Sequence, residues 1–335
     1  LNRLLEVNPE HPEANASFGE LALRSRKYGE AETAFRNTLA NDPDNLVALI
    51  GLGNLKLRTE EPDQAIDALS EAIEERPDYS FAYTDRSRAH MMKQDFFPAQ
   101  EDLNRAIDLQ PDYAWNFYDR GKVRLELRRY EQAVQDFTTF IERRPDVFMA
   151  YVYRARAHDS LRNRQEAIAD YEKTLQLEPT YFRVNLPLGA LYFETEQYAK
   201  ARDRFKAAHE NRENDDPAMP LLVALTHKLQ NQQGAAEQYL EEAAADLPRP
   251  SLYYDMARYY IRPGYDGHIY RAVLDEENEV LRGRMKFYLG AQYSIQGRTD
   301  TARAMYLDAE EEVPTGFVER RLAQFLYEKS VGPAD

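Results

Sequence analysis

The chain has 335 residues, of which 43% are hydrophobic and 30% charged, with a formal net charge of −15. It contains no cysteine, which excludes disulfides and thiolate metal sites, and no apolar run long enough to predict a membrane span. The acidic balance disfavours nonspecific binding to nucleic acids or anionic membranes and favours basic partners.

Residues 1–8 show no basic region followed by an apolar stretch, so no signal peptide is visible. Residues 4–9 instead resemble the end of a helix whose partner is missing. We therefore expect the chain to begin inside a repeat. The compartment stays open: the protein is expected to be soluble, either cytoplasmic or, if an N-terminal signal was removed, exported or periplasmic.

Six prolines recur at one constant interval along the first half of the chain. They are Pro9, Pro43, Pro77, Pro111, Pro145 and Pro179. A fixed period of this size is typical of a solenoid, in which each unit buries its apolar face only against its neighbours.

Each unit defined by these prolines repeats one internal pattern. An apolar-periodic stretch is followed by a polar turn, and a second helical stretch then carries an alanine with a large apolar residue four positions later. These pairs are Ala31/Phe35, Ala65/Leu69, Ala99/Leu103, Ala133/Phe137, Ala167/Tyr171 and Ala201/Phe205. The small residues allow two helix backbones to approach closely, and the proline stops the second helix. The pattern predicts pairs of packed helices.

This pattern resembles the tetratricopeptide repeat (TPR), whose Leu-Gly consensus is matched at Phe18-Gly19, Leu52-Gly53, Leu188-Gly189 and Leu289-Gly290. The resemblance implies an all-α, right-handed superhelical α-α solenoid of about eight to nine TPR-like helix pairs with a C-terminal capping helix. In this family the first helices of the units line a concave binding surface.

The alignment also predicts the unit boundaries. They are the end of a truncated repeat at 1–11, six regular units at 12–45, 46–79, 80–113, 114–147, 148–181 and 182–216, a TPR-like unit at 217–250, an irregular helical unit at 251–282, a TPR-like unit at 283–316, and a capping helix and tail at 317–335. An extra residue falls near 213–216. Pro187 predicts a kinked or shortened first helix in the sixth unit.

Units three to five depart from the consensus in a coordinated way. Where the other units have the large residue of Leu-Gly they carry arginine, and in the same units an aspartate appears in the second helix. We predict the ion pairs Arg86–Asp102, Arg120–Asp136 and Arg154–Asp170. The alternative is that arginine and aspartate point separately to solvent.

No catalytic motif is present, and we expect no enzyme activity, no cofactor and no metal site. His90 and His158 occupy the same position two repeats apart. That separation is too large for a shared metal ion, so we interpret them as packing residues.

One position of the first helix is polar or charged in the early units, where it holds Glu20, Asn54, Arg88, Lys122 and Arg156, again at the repeat interval. In the later units the same position holds the neutral or apolar residues Ala190, Leu225, Tyr259 and Ala291. Large apolar side chains are expected beside the basic members. The predicted partner-binding residues on the concave face are Asn54, Phe81, Arg88, Met92, Trp115, Tyr118, Lys122, Met149 and Arg156. Aromatic anchors next to arginine suit peptide recognition. The alternative is that the apolar groups pack between repeats and nearby acids neutralise the basic ones.

We therefore predict a noncatalytic adaptor or scaffold that binds a protein or peptide, with an acidic-aromatic sequence or a C-terminal carboxylate as its expected features. The family's carboxylate clamp and asparagine ladder are not reproduced. Two alternatives stay open: a targeting or regulatory segment of a larger, for instance enzymatic, protein, and a self-associating bacterial scaffold that uses residues 251–282. The sequence does not determine the oligomeric state.

Overall fold

The computed structural model describes residues 8–210, 216–264 and 266–332, and every regular element in these ranges is helical. The helices are α1 (Pro12–Arg24), α2 (Tyr28–Asn41), α3 (Leu46–Arg58), α4 (Pro62–Glu75), α5 (Ser80–Met92), α6 (Phe96–Leu109), α7 (Ala114–Glu126), α8 (Tyr130–Arg143), α9 (Phe148–Ser160), α10 (Arg164–Leu177), a 3₁₀ turn (Phe182–Val184), α11 (Asn185–Glu194), α12 (Tyr198–Glu210), α13 (Met219–Leu229), α14 (Gln233–Ala243), α15 (Leu252–Ile261), α16 (Asp266–Leu274), α17 (Glu279–Ile295), α18 (Thr299–Glu312) and α19 (Val318–Val331). The predicted all-α fold class is confirmed.

The chain divides into two compact units, with unit 1 ending at Asn163 and unit 2 beginning at Arg164. Unit 1 contains α1–α9 and unit 2 contains α10–α19. The division falls between the two helices of the predicted unit 148–181. Three predicted features fall wholly or partly outside the described residues: residues 1–7 of the truncated repeat, the extra residue near 213–216, and the tail at 333–335.

The turn between the two helices of a hairpin is closed in the same way in the seven hairpins from α1–α2 to α13–α14. Its central residue has a positive φ, between 56° and 62°, and is not glycine; these residues are Arg26, Glu60, Gln94, Arg128, Arg162, Glu196 and Asn231. In the first turn the amide of Lys27 donates to Ala22 O at 2.9 Å and the amide of Arg26 donates to Leu23 O at 3.1 Å. This Schellman arrangement satisfies the last carbonyls of the first helix.

Within a hairpin, a glycine of the first helix faces a large side chain of the second helix. The Gly53 Cα lies so close to Leu69 that a Cβ atom there would come within 2.5 Å of Leu69 Cγ. The same contact joins Gly19 to Phe35, Gly121 to Phe137, Gly189 to Phe205 and Gly290 to Tyr306. The alanines of the second helix are fully buried beside it. The small-to-large pattern of the sequence is therefore the packing of one helix of the hairpin against the other.

In unit 2 the sixth repeat begins with the 3₁₀ turn, and α11 has only 10 residues. The first helix is thus shortened at Pro187, as the proline predicts. The irregular region 251–282 forms α15 and the short helix α16.

The last helix, α19, packs against α18 and also against α11. The rings of Phe193 and Phe325 lie 6.1 Å apart, and Arg321 binds Glu194 at 2.6 Å. Helix α17 is buried along residues 283–293, where it packs against α18 and contacts α13. Unit 2 therefore covers the first helices of its own repeats.

Candidate partner-binding surface

The series that runs from Glu20 to Arg156 lies on α1, α3, α5, α7 and α9, and we call it the first-helix rung. Glu20, Arg88 and Arg156 are exposed, and Asn54 and Lys122 are half-buried. The continuation of the same position in unit 2 is buried, because Ala190, Leu225, Tyr259 and Ala291 are at most 4% exposed. Only in unit 1, among the described residues, does this position face solvent.

The basic residues of the rung are not isolated charges. Arg88 Nη1 lies 2.9 Å from Asp85 Oδ1 on its own helix, and Arg88 Nη2 lies 3.4 Å from Asp119 Oδ2 on α7. Lys122 Nζ lies 4.0 Å from Asp119 Oδ1. An alternating network of acid and base thus joins α5 and α7.

This network corresponds to the alternative in which nearby acids neutralise the basic residues. Both aspartates are buried, and burial raises the pKa of Asp85 although Arg88 acts in the opposite direction. Sequence reasoning did not include Asp85 and Asp119 in the surface. The sequence pattern could have identified these two aspartates, because they stand one repeat apart and each precedes a basic residue of the rung by three positions.

The aromatic part of the surface centres on Trp115, the only tryptophan of the chain. Its ring lies 5.4 Å from Tyr118 in an edge-on arrangement and 5.0 Å from Phe140 of α8, and the Arg144 guanidinium lies 5.7 Å from its centroid. Trp115 is half-buried. The second helix of the hairpin therefore fixes its orientation while part of the ring stays accessible.

The remaining predicted residues also lie on first helices of unit 1. Phe81 is half-buried against Tyr79 and Tyr113, Met149 is half-buried and Met92 is 43% exposed. Lys122 Nζ lies 5.7 Å from the Tyr118 ring, and the Arg156 guanidinium lies 5.9 Å from the Tyr153 ring. The nine predicted partner-binding residues are thus distributed over α3, α5, α7 and α9.

The ion-pair residues form a second, structural series between the helices. Arg86 Nη2 lies 2.7 Å from Asp102 Oδ1, and Arg120 Nη2 lies 2.7 Å from Asp136 Oδ1. Each arginine also donates through Nη1 to the preceding repeat, Arg86 to Ser70 Oγ at 3.0 Å and Arg120 to Asn104 Oδ1 at 2.9 Å. The ion pairs join the two helices of one hairpin, and the Nη1 contacts of the same arginines link that hairpin to the preceding one.

In the third member of this series, Arg154 Nη1 donates to Thr138 Oγ1 at 3.1 Å within unit 1. Asp170 is buried and belongs to unit 2. The Arg154–Asp170 pair stays a prediction. Sequence reasoning missed the partners in the preceding repeat, although Ser70, Asn104 and Thr138 recur at the repeat interval.

The described side chains contain no group of three or more histidines and carboxylates that could hold a metal ion. His90 is half-buried, and burial lowers its pKa. In the part of the chain that the structure describes, no helix combines the length and apolar character that a bilayer crossing needs. The chemistry available at the surface is charge pairing and aromatic contact.

Comparison with protein families gives matches to two models of the tetratricopeptide repeat, one at residues 22–94 and 161–226 and the other at residues 118–182. No match was found among curated protein sequences.

Two solved structures show the same fold, and a third is similar over part of the chain. YrrB, described as a TPR protein with an unusual peptide-binding site, is 17% identical, with 58% of this chain and 98% of YrrB covered and a TM-score of 0.51. A tetratricopeptide repeat protein from Parabacteroides merdae is 16% identical, with 75% of this chain and 97% of that protein covered and a TM-score of 0.51. MamA is 24% identical over 51% of this chain and 93% of its own, with a TM-score of 0.48.

Proposed function

The chain belongs to the tetratricopeptide-repeat family, and from this premise we propose that it is a noncatalytic protein-interaction module. The partner is a protein segment or peptide that binds along the first helices of unit 1. The proposed contact residues are the nine on α3, α5, α7 and α9, together with Asp85 and Asp119 of the charge network.

One observation carries this proposal. The first-helix rung is open in unit 1, where its members are polar, and buried in unit 2, where they are apolar. A binding surface needs accessible groups that can exchange water for a partner. A packing surface instead needs buried apolar groups, and in unit 2 the same position contributes to the core.

The side chains around Trp115 favour a particular partner chemistry. A half-buried tryptophan whose orientation is fixed by Phe140 loses little rotamer entropy on binding and offers an apolar anchor point. Arg88 is already shared between two aspartates, so carboxylate recognition falls mainly on Lys122 and Arg156. We accordingly assign an acidic-aromatic peptide or a C-terminal carboxylate to this surface.

The single tryptophan supplies a direct test. Peptides selected from a random-sequence array by the full chain are titrated while the emission of Trp115 is recorded, because an occupant of this surface changes the polarity around the indole. We expect a saturable change in emission for the wild type. Lys122→Gln combined with Arg156→Gln should weaken binding by about 10-fold, which corresponds to the loss of one or two exposed charge-assisted contacts.

A matched control removes two positive charges elsewhere in unit 1, in Arg76→Gln combined with Arg105→Gln, both exposed and outside the first helices. This variant should bind like the wild type. Selected peptides that bind without altering Trp115 emission, or that lose the same affinity in both double variants, would contradict the proposed location.

A further inference from the structure

Unit 2 contains an open cleft of about 680 Å³ beside α15 and α16, whose described lining combines three arginines with Glu241, Asp255 and His268 and with apolar side chains. We call it the arginine cleft. Its arginines are Arg249, Arg258 and Arg262. All of its described lining residues belong to unit 2, so its role does not depend on the function proposed above.

Two of the guanidinium groups are held on the same aromatic ring. The Arg249 guanidinium lies 4.2 Å from the Tyr254 centroid and the Arg258 guanidinium lies 6.0 Å from it. Arg249 Nη2 also donates to Ala244 O at 3.0 Å. Cation–π contact and this hydrogen bond restrict the side chain before any ligand arrives, which lowers the entropy cost of binding.

The cleft is locally basic, because its three arginines outnumber the two carboxylates of its lining, Glu241 and Asp255, and its arginines differ in their pairing from others in the molecule. Arg86, Arg120 and Arg284 are each bound to carboxylates, the last to Asp216 and Glu319. Among the described ion pairs none involves Arg249, Arg258 or Arg262. All three are exposed at the cleft, in a chain whose net charge is −15. Exposed guanidinium groups without a carboxylate partner retain N–H donors for an external oxyanion.

The apolar part of the lining, which we call the floor, consists of Tyr259, Ile261 and Ile269. Tyr259 and Ile269 are at most 4% exposed, and Ile261 is half-buried. The cleft thus offers apolar contact directly beside cationic donors. A free inorganic anion would use only the donors, whereas a peptide that carries both carboxylates and aliphatic side chains uses both features.

We infer that the arginine cleft is a second interaction site, which binds an acidic protein segment through its carboxylates and places a neighbouring aliphatic side chain on the floor. Recognition depends on local charge, because the chain as a whole repels an acidic ligand. Binding should therefore weaken as salt concentration rises.

The test uses the full chain and a short fluorescein-labelled peptide of alternating Glu and Leu, followed by fluorescence anisotropy. Arg249→Gln combined with Arg258→Gln should weaken binding by about 10-fold or more, as expected for the loss of two charge-assisted contacts. The matched control, Arg183→Gln combined with Arg271→Gln, removes the same charge from exposed positions of unit 2 outside the cleft and should bind like the wild type. Circular dichroism checks that each variant is folded.

Two further probes separate peptide binding from binding of any anion. A peptide of alternating Gln and Leu should bind about 10-fold more weakly, and inorganic phosphate at an ionic strength matched with chloride should compete no better than chloride. Equal losses in both double variants would overturn the inference, as would equal binding of the Gln–Leu peptide. Specific displacement by phosphate would overturn the assignment to a protein segment. None of these results depends on Trp115, so this test and that of the first-helix surface can fail separately.

Discussion

Arg120 binds Asp136 through two parallel hydrogen bonds, from Nη2 to Oδ1 at 2.7 Å and from Nε to Oδ2 at 3.0 Å. Arg124 Nη1 also lies 2.7 Å from Asp136 Oδ2. The described contacts of Asp102, by contrast, come from Arg86 alone. The two equivalent aspartates therefore differ in what remains when the first arginine is removed.

From this difference we predict that Arg86→Leu destabilises unit 1 more than Arg120→Leu. Loss of Arg86 leaves the buried Asp102 carboxylate without its partner, at a cost of about 3 kcal/mol, whereas Asp136 keeps Arg124 and the cost is about 1–2 kcal/mol. Urea unfolding followed by Trp115 emission measures both. Adding Asp102→Ala to Arg86→Leu should recover more than half of the loss. Equal stability of that double variant and Arg86→Leu would show that the pair contributes nothing.

The close approach of Gly53 to Leu69 predicts that Gly53→Ala destabilises the second hairpin. The new methyl group would meet Leu69 Cγ at 2.5 Å, and displacing a fully buried side chain costs about 1–3 kcal/mol. Thermal unfolding of unit 1 measures the change. Gly29 is the control, because it lies in α2 with nothing within 4 Å of the added methyl. Gly29→Ala should be neutral or stabilising by up to about 1 kcal/mol. A loss of the same size at both positions would contradict the packing explanation.

The non-glycine turn residues predict that Arg26→Gly stabilises unit 1. Arg26 has a φ of 58°, which costs a residue with a Cβ about 1–2 kcal/mol, and glycine removes this cost while making the unfolded chain more flexible. The expected net gain is about 0.5 kcal/mol in the free energy of unfolding by urea. The adjacent Ser25 has a φ of −83°, so Ser25→Gly should lose about 0.5–1 kcal/mol. Stabilisation by both substitutions would point away from backbone strain.

Lys228 predicts a stability that depends on pH. It is 4% exposed, its Nζ lies 5.0 Å from the Tyr260 ring centroid, and no hydrogen-bond acceptor for Nζ lies in the described part of the chain. Burial lowers the pKa of Lys228 to about 8 from its usual value of 10.5. Between these pH values the unfolded chain holds a proton that the native chain has released, so the stability contributed by Lys228 rises with pH.

We therefore expect Lys228→Met to stabilise the chain by about 2–3 kcal/mol at pH 7, and this advantage should shrink as the pH rises from 8 towards 10.5. Circular dichroism during urea unfolding at several pH values measures the difference. The tyrosines are the same in both chains, so their ionisation cancels. Lys286 is equally buried but lies 2.8 Å from Asp308 and 2.7 Å from Glu312, so Lys286→Met should destabilise at pH 7. An advantage of Lys228→Met that does not vary with pH would exclude a charge effect.

The helical hairpins could be predicted from the sequence because their contacts recur at fixed short spacings. Arg120 and Asp136 stand 16 residues apart, as do Gly53 and Leu69, which is the length of one helix and its turn, and other repeats present the same spacing again. The charge network of Arg88 was harder to predict from the sequence. Asp85 lies one helical turn before Arg88, but the contact with Asp119 crosses between repeats and needs both helices in place.

Period, helix pairing and the position of the candidate surface thus follow from local sequence, since nearest-neighbour packing repeats the same interaction. Local sequence does not determine which first helices remain accessible to solvent. Arg321 reaches Glu194 across 127 residues, and Arg284 joins Asp216 to Glu319. No spacing in the sequence encodes these contacts, because they form only when α17 and α19 pack against earlier helices of unit 2. That folding back buries the repeated position within unit 2, whereas the members of the same series in unit 1 are exposed or half-buried.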